Sequence, residues 1–220
     1  MTPSAPSVSR RTLATRNARW ARILALRLAG WDVQPNSVSI ASVAFACVSA
    51  TAFYLAAGCS PEVRAALLLA AAACIQLRLL CNLLDGMLAV ECGLKTPAGE
   101  IFNELPDRVA DVVILAGAGY AAPGIPSSAT LGWAAAAAAL FTAYVRVLGG
   151  ALGQKQHFIG PMAKQHRMFV LTLGTILGAV ETLTSGTQRT IPAALAVILA
   201  GSLLTTIRRV HRIAVAAGAR

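Results

Sequence analysis

Six apolar runs, each close to the length that crosses a bilayer, constrain this chain more than any other feature. They occupy residues 37–57, 63–87, 102–121, 129–148, 168–183 and 191–207. A hydrocarbon core about 30 Å thick needs roughly 20 apolar residues in a helix. A chain of 220 residues that commits most of its length to such runs has no room for a second, soluble domain. A soluble Ala-rich bundle is the alternative, but so many spanning-length runs would be hard to bury in so small a core. The expected fold is therefore all-α and integral to the membrane, with six transmembrane helices. Only 5% of residues are aromatic, and the abundance of alanine suits helices whose small side chains let their backbones approach closely.

Charge then sets the orientation. A net charge of +10 gathered into one patch on a soluble fold would suggest a nucleic-acid partner. Here Lys and Arg lie instead between and beside the apolar runs, which points to anionic lipid headgroups and away from nucleic acid. Loops 58–62, 122–128 and 184–190 hold Arg189 as their single basic residue, with Arg64 just beyond the first. The other side carries Lys95, Arg146, Lys155, Lys164, Arg167, Arg208, Arg209 and Arg212. The excess of positive charge predicts a multi-pass protein of the cell membrane, with both termini and the stretch 82–111 on the cytoplasmic side.

The ends follow the same logic. Residues 1–9, rich in Ser and Pro, read as disordered. Across 10–32, Arg10, Arg11, Arg16, Arg19, Arg22 and Arg27 interleave with Leu13, Trp20, Ile23, Leu24, Leu26 and Leu28. That pattern predicts an amphipathic helix lying in the interface plane. A cleavable signal peptide would need an apolar core soon after its first positive charges, and none occurs before Gln34. The turn at Pro35-Asn36 opens a six-helix domain over 33–207, and 208–220 reads as a basic cytoplasmic tail. Cys47, Cys59, Cys74, Cys81 and Cys92 have no paired spacing and read as small hydrophobes, neither disulfides nor metal ligands.

Against this apolar background, six of the nine acidic residues fall between Asp85 and Asp111. A carboxylate at or inside a bilayer face is costly unless something compensates it, and a divalent cation does so directly. Asn82, Asp85 and Ala89 share a face near the end of the second run. Asn103, Asp107 and Asp111 form one stripe along the start of the third. A connection containing Gly93, Pro97 and Gly99 lets the two helices run antiparallel, so that the stripes can face each other. Gly86 and Ala89 carry almost no side chain and leave space for a ligand. Oxygen donors converging from two helices suit Mg²⁺ or Mn²⁺, hard cations that share carboxylates with substrate phosphates. The stretch thus predicts phosphate chemistry.

Its spacing resembles the motif of the CDP-alcohol phosphatidyltransferases, Asp-x2-Asp-Gly-x2-Ala-Arg-x8-Gly-x3-Asp-x3-Asp. Asn82, Asp85, Gly86, Ala89, Val90, Gly99, Asn103 and Asp107 stand at its fixed positions. The resemblance extends to six spans, the Pro35-Asn36 turn and a basic loop after the fourth span. It implies a metal-dependent membrane transferase of phospholipid biosynthesis, which moves a substituted phosphate group from a CDP-linked donor, above all CDP-diacylglycerol, to an alcohol acceptor and releases CMP. By the same resemblance Asn82, Asp85, Asn103 and Asp107 hold Mg²⁺ or Mn²⁺, and Asp107 is also the general base. Asn82, Asp85, Gly86, Ala89 and Gly99 then accommodate the nucleotide, and a homodimer is expected. A second reading of Asp107 is a structural pair with Arg108 or a basic loop.

Three positions depart from the motif. Asn82 and Asn103 replace aspartates, and Val90 replaces the arginine. An Asn carbonyl still ligates a metal, but two negative charges are lost. Glu91, Glu104 and Asp111 lie within a turn of motif positions and are expected to restore that charge, with Glu104 and Asp111 as added metal ligands. Arg78, one turn before Asn82, stands in for the missing arginine or neutralises Asp85.

Between the fourth and fifth runs, Arg146, Lys155, Lys164 and Arg167 flank a Gly- and Pro-broken loop. With Arg78 they are the candidates for holding phosphates or a phosphate-bearing acceptor, unless they serve topology alone. His157 and His166, in the same loop, lack nearby acids or cysteines at zinc-ligand spacing. A transporter would want polar groups at the bilayer midplane, and these are sparse. The remaining rival is a pseudoenzyme of the same fold that acts as a membrane partner protein, favoured by Asn82, Val90 and Asn103.

Overall fold

The structure, a computed structural model, describes residues 19–94, 97–154 and 160–218. Those residues form seven α-helices: α1 (Arg19–Gly30), α2 (Pro35–Ala56), α3 (Pro61–Val90), α4 (Gly99–Gly119), α5 (Ser128–Ala151), α6 (Lys164–Thr184) and α7 (Thr190–Gly218). Proline opens both α2 and α3, where its missing N–H costs nothing and its fixed φ suits a first turn. At the far end of α3, Gly93 adopts φ 72°, and the N–H groups of Cys92 and Leu94 reach back to the carbonyls of Met87 and Leu88. This left-handed cap ends the helix cleanly.

Five helices, α2, α3, α5, α6 and α7, are long and apolar enough to cross a membrane. The expected third span falls in α4, which differs in kind: Glu104, Asp107 and Arg108 occupy its first half, and Asp111 lies just beyond. Pro106 also lies inside that half and removes a backbone donor from the helical ladder. Two helices outrun their predicted spans. At 30 residues α3 is about 45 Å long, more than a hydrocarbon core requires. The stretch expected as a basic tail is instead a continuation of α7 as far as Gly218. The predicted disordered segment 1–9, and 10–18 of the predicted interfacial helix, lie outside the described residues. Its described part is α1, whose Ala21 and Ala25 are buried with Leu84, Met87 and Leu88 of α3, while Trp20 and Leu26 stay exposed.

The six longer helices close into a ring. Neighbours around it are α2, α3, α6, α7, α5 and α4, with α4 returning to α2. The two acid-bearing helices therefore do not lie side by side as an antiparallel hairpin. They make slight direct contact, and α2 packs closely against both.

Small residues set the spacing. A Cβ placed on Gly117 of α4 would lie 2.6 Å from that of Ala50 in α2, and one on Gly132 of α5 would lie 2.8 Å from the Leu115 carbonyl oxygen of α4. Leu68, Ile75, Ile114, Leu115, Leu171 and Leu195 fill the middle of the ring and are fully buried. At the end remote from the acids, the buried guanidinium of Arg64 donates to the carbonyls of Ala56 and Ala121, at 3.4 and 2.5 Å, and to the Thr182 hydroxyl at 3.2 Å. One side chain thus ties the ends of α2, α4 and α6. Glu181 accepts backbone N–H groups of Arg189 and Thr190 at 2.8 and 3.0 Å and so caps the start of α7.

Candidate active site

Charged side chains from three ring helices meet at the other end. Arg78 of α3 is completely buried. It donates through Nη2 to Asp111 Oδ1 at 2.7 Å, to the Asp107 carbonyl at 3.1 Å and to Asp107 Oδ1 at 3.4 Å. Arg167 of α6 donates to Asp111 Oδ2 at 2.8 Å and to the Met162 carbonyl at 3.1 Å. Lys164, one turn earlier on α6, donates to Asp107 Oδ2. Asp111 is therefore clamped between two arginines, and Asp107 lies between an arginine and a lysine. Such charges persist in an apolar interior only when paired and hydrogen-bonded.

Asp85 is handled differently. The residue is 3% exposed, and its Oδ2 accepts a 2.6 Å hydrogen bond from Ser39 of α2. Its Oδ1 is buried with no partner, as is the amide nitrogen of Asn82 one turn away on the same face. The Gly86 backbone N–H also supports the carboxyl group, and Asp107 and Lys164 lie within its electrostatic reach. A buried carboxylate oxygen without a donor carries a large desolvation cost. A hard cation beside it would remove that cost, so the residues present fit a divalent metal: Asp85 as the anionic ligand, Asn82 through its carbonyl once the amide is turned.

The geometry corrects several expectations. Asp111 and Glu104 do not supply spare charge: Asp111 is consumed by Arg78 and Arg167, while Glu104 accepts two bonds from Arg146 at 2.6 and 2.7 Å and pairs with Arg108 at 2.9 Å. Glu91 is exposed. Arg78 pairs with Asp107 and Asp111, not with Asp85, so it neutralises a different acid from the one expected. Arg108 goes to Glu104 and leaves Asp107 to Lys164. Asn103 is exposed on α4, Gly86 and Ala89 are half-buried on α3, and Gly99 is the first residue of α4. Lys155 lies outside the described residues. Among the described residues no three His, Cys, Asp or Glu side chains converge to hold a metal, which leaves any cation here to rely on the carboxamides.

Two residues of this end escaped the sequence reading. Ser39 is one of several serines on α2 and nothing in its spacing marks it. Arg209, in the stretch that reads as a basic tail, is 6% exposed and donates to the Thr142 carbonyl at 2.7 Å. Arg108, Arg146 and Arg167 lie within its electrostatic reach. The stripe Ser202, Thr205, Arg209 at helical spacing was the available signal.

This ring of helices is a fold shared with solved membrane-enzyme structures. Solved structures with the same fold include phosphatidylinositol phosphate synthase, PgsA1, of Mycobacterium tuberculosis. Its complex with CDP-DAG matches at a TM-score of 0.73 and 19% identity, over 89% of this chain and 94% of that one. Its complex with manganese and citrate matches at 0.72 and 18%, over 88% of each chain. The apo form matches at 0.68 and 19%, over 86% and 93%. No protein-family model matches the chain, and no curated protein does.

Proposed function

We propose that this chain is a six-span membrane phosphotransferase that moves a substituted phosphate group from a CDP-linked donor, CDP-diacylglycerol foremost, to an alcohol, releasing CMP at the cytoplasmic face. The observation that carries the reading is the unpartnered, buried Oδ1 of Asp85 on the motif face of α3. It is supported by a fold shared with a synthase solved with CDP-DAG and, separately, with manganese. In this reading α4 crosses with the other five helices, its acidic half sheltered by Arg78, Lys164 and Arg167.

Asp85 and Asn82 would hold Mg²⁺ or Mn²⁺, with Asn103 and Asp107 as the remaining motif positions on α4 and with Asp111 and Glu104 removed from the ligand set expected from sequence. When bound, such a cation neutralises the donor's pyrophosphate and polarises its phosphorus. Gly86, Ala89 and Gly99 present backbone without bulk, so the nucleotide can lie close to α3 and the start of α4. Asp107 takes the proton of the acceptor hydroxyl as the new O–P bond forms and the P–O bond to CMP breaks. A carboxylate has about four lone-pair sites, so the Lys164 and Arg78 contacts leave it able to accept that proton.

The acceptor is assigned a phosphate of its own. Arg108, Arg146 and Arg167 lie within electrostatic reach of Arg209, with Glu104 paired to Arg108 and Arg146 and Asp111 to Arg167, and such a gathering of guanidiniums suits a phosphate group. The pseudoenzyme reading retains one specific support, the engagement of both Asp107 oxygens by basic side chains. The test is CMP release by purified protein from CDP-diacylglycerol with Mn²⁺ and a panel of alcohols, with and without phosphate groups. Phosphorylated alcohols are expected to be the better acceptors, and Asp85→Ala to fall to the no-protein background. Turnover by Asp85→Ala would refute the site, and no CMP release with any acceptor would favour the pseudoenzyme.

A further inference from the structure

We infer that this site takes a single divalent cation, on the Asp85 side, and that the ammonium of Lys164 stands where a second cation would sit, against Asp107. The inference rests on the phosphotransfer reading above and specifies how that site carries its positive charge.

The three carboxylates differ in what they have left to give. Asp111 has one oxygen on Arg78 and the other on Arg167. Asp107 has Oδ2 on Lys164 and Oδ1 within 3.4 Å of Arg78. Asp85 alone keeps a buried oxygen without a partner. Asp107 and Asp111 therefore already face three protein cations, Arg78, Arg167 and Lys164, and Asp85 is the acid left for a metal. Two dications side by side repel four times as strongly as two unit charges, and ligand anions must offset that repulsion. Asn82 and Asn103 are neutral, so the four motif positions supply two negative charges, one of which is already answered by lysine.

Lysine is suited to the part. Its ammonium is a compact point charge on a flexible stem, and it binds phosphate without a fixed geometry. The Lys164 side chain is 24% exposed, unlike those of Arg78 and Arg167, so it can turn from Asp107 toward an arriving phosphate. One metal and one lysine then share the donor's negative charge.

Manganese stoichiometry tests this without reference to turnover. Purified protein is titrated with Mn²⁺ in the presence of CDP, and bound metal is counted from the loss of the free-ion electron paramagnetic resonance signal. One Mn²⁺ per chain is expected for wild type, with binding lost in Asp85→Asn. Lys164→Met is expected to admit a second ion and Lys164→Arg to remain at one. If Lys164→Met does not fold, Lys164→Gln removes the same charge while keeping a donor for Asp107, and two ions are again expected. Two ions in wild type, or one in a folded Lys164→Met or Lys164→Gln, overturns the inference and leaves the phosphotransfer reading standing. No bound Mn²⁺ in wild type overturns that underlying reading instead.

Discussion

Asp111 shows how burial changes what an acidic residue is for. Held at 2.7 and 2.8 Å by two guanidiniums, one of them fully buried, it is the anion that allows Arg78 and Arg167 to exist inside the ring. Asp111→Asn would leave both arginines short of charge, and removing one partner of such a buried group costs about 3–5 kcal/mol. A large loss of thermal stability in detergent is the expected outcome. Glu104→Gln breaks a half-exposed pairing and should cost under about 1 kcal/mol. A stable Asp111→Asn that had lost only metal affinity would return Asp111 to the ligand set. From sequence, both acids looked like replacements for the charge missing at Asn82 and Asn103, because helical spacing reports which face a side chain shares. It does not report which cation arrives from another helix: Arg167 lies 56 residues further along the chain, and Arg146 lies 42 residues beyond Glu104.

At the level of elements, spacing along single helices was legible and neighbour relations were not. Of the six apolar runs, five fall in helices suited to a membrane, and the motif spacing marked Asp85 and Asp107, both buried. The placing of α2 between α3 and α4 has no local signature, since it depends on how closely glycine and alanine let backbones meet. Gly132 is a sharp case, its added Cβ falling 2.8 Å from the Leu115 carbonyl oxygen and 2.9 Å from the Gly119 Cα. Backbone cannot yield as a flexible side chain can. Gly132→Ala should therefore push α5 from α4 at a cost of about 1–3 kcal/mol, read as a lower unfolding temperature. Because Arg146 rides on α5, its bonds to Glu104 on α4 should loosen as well. Unchanged stability would mean that the α4–α5 contact is slacker than described.

At the scale of the whole molecule, the charge cluster and Arg64 stand at opposite ends of one ring. The expected orientation puts the cluster inside the cell. In a background lacking the native cysteines, Gln165→Cys should be protected from an impermeant thiol reagent in intact cells and Ser127→Cys should react; both positions are exposed. The opposite pattern would invert the topology and place the site outside. Between the two ends lie Leu68, Ile75, Ile114 and Leu115, all fully buried, and beyond them Arg64 fastens three helices together. Charge is therefore concentrated at one end of the ring, with a buried apolar middle between it and the other. The consequence is electrical. A protein that gathers this many ionised groups around one opening, yet is sealed at the opposite end, should be tight to ions. Proteoliposomes containing it should hold a proton gradient as long as protein-free vesicles do, so that a cell could carry many copies without draining its membrane potential.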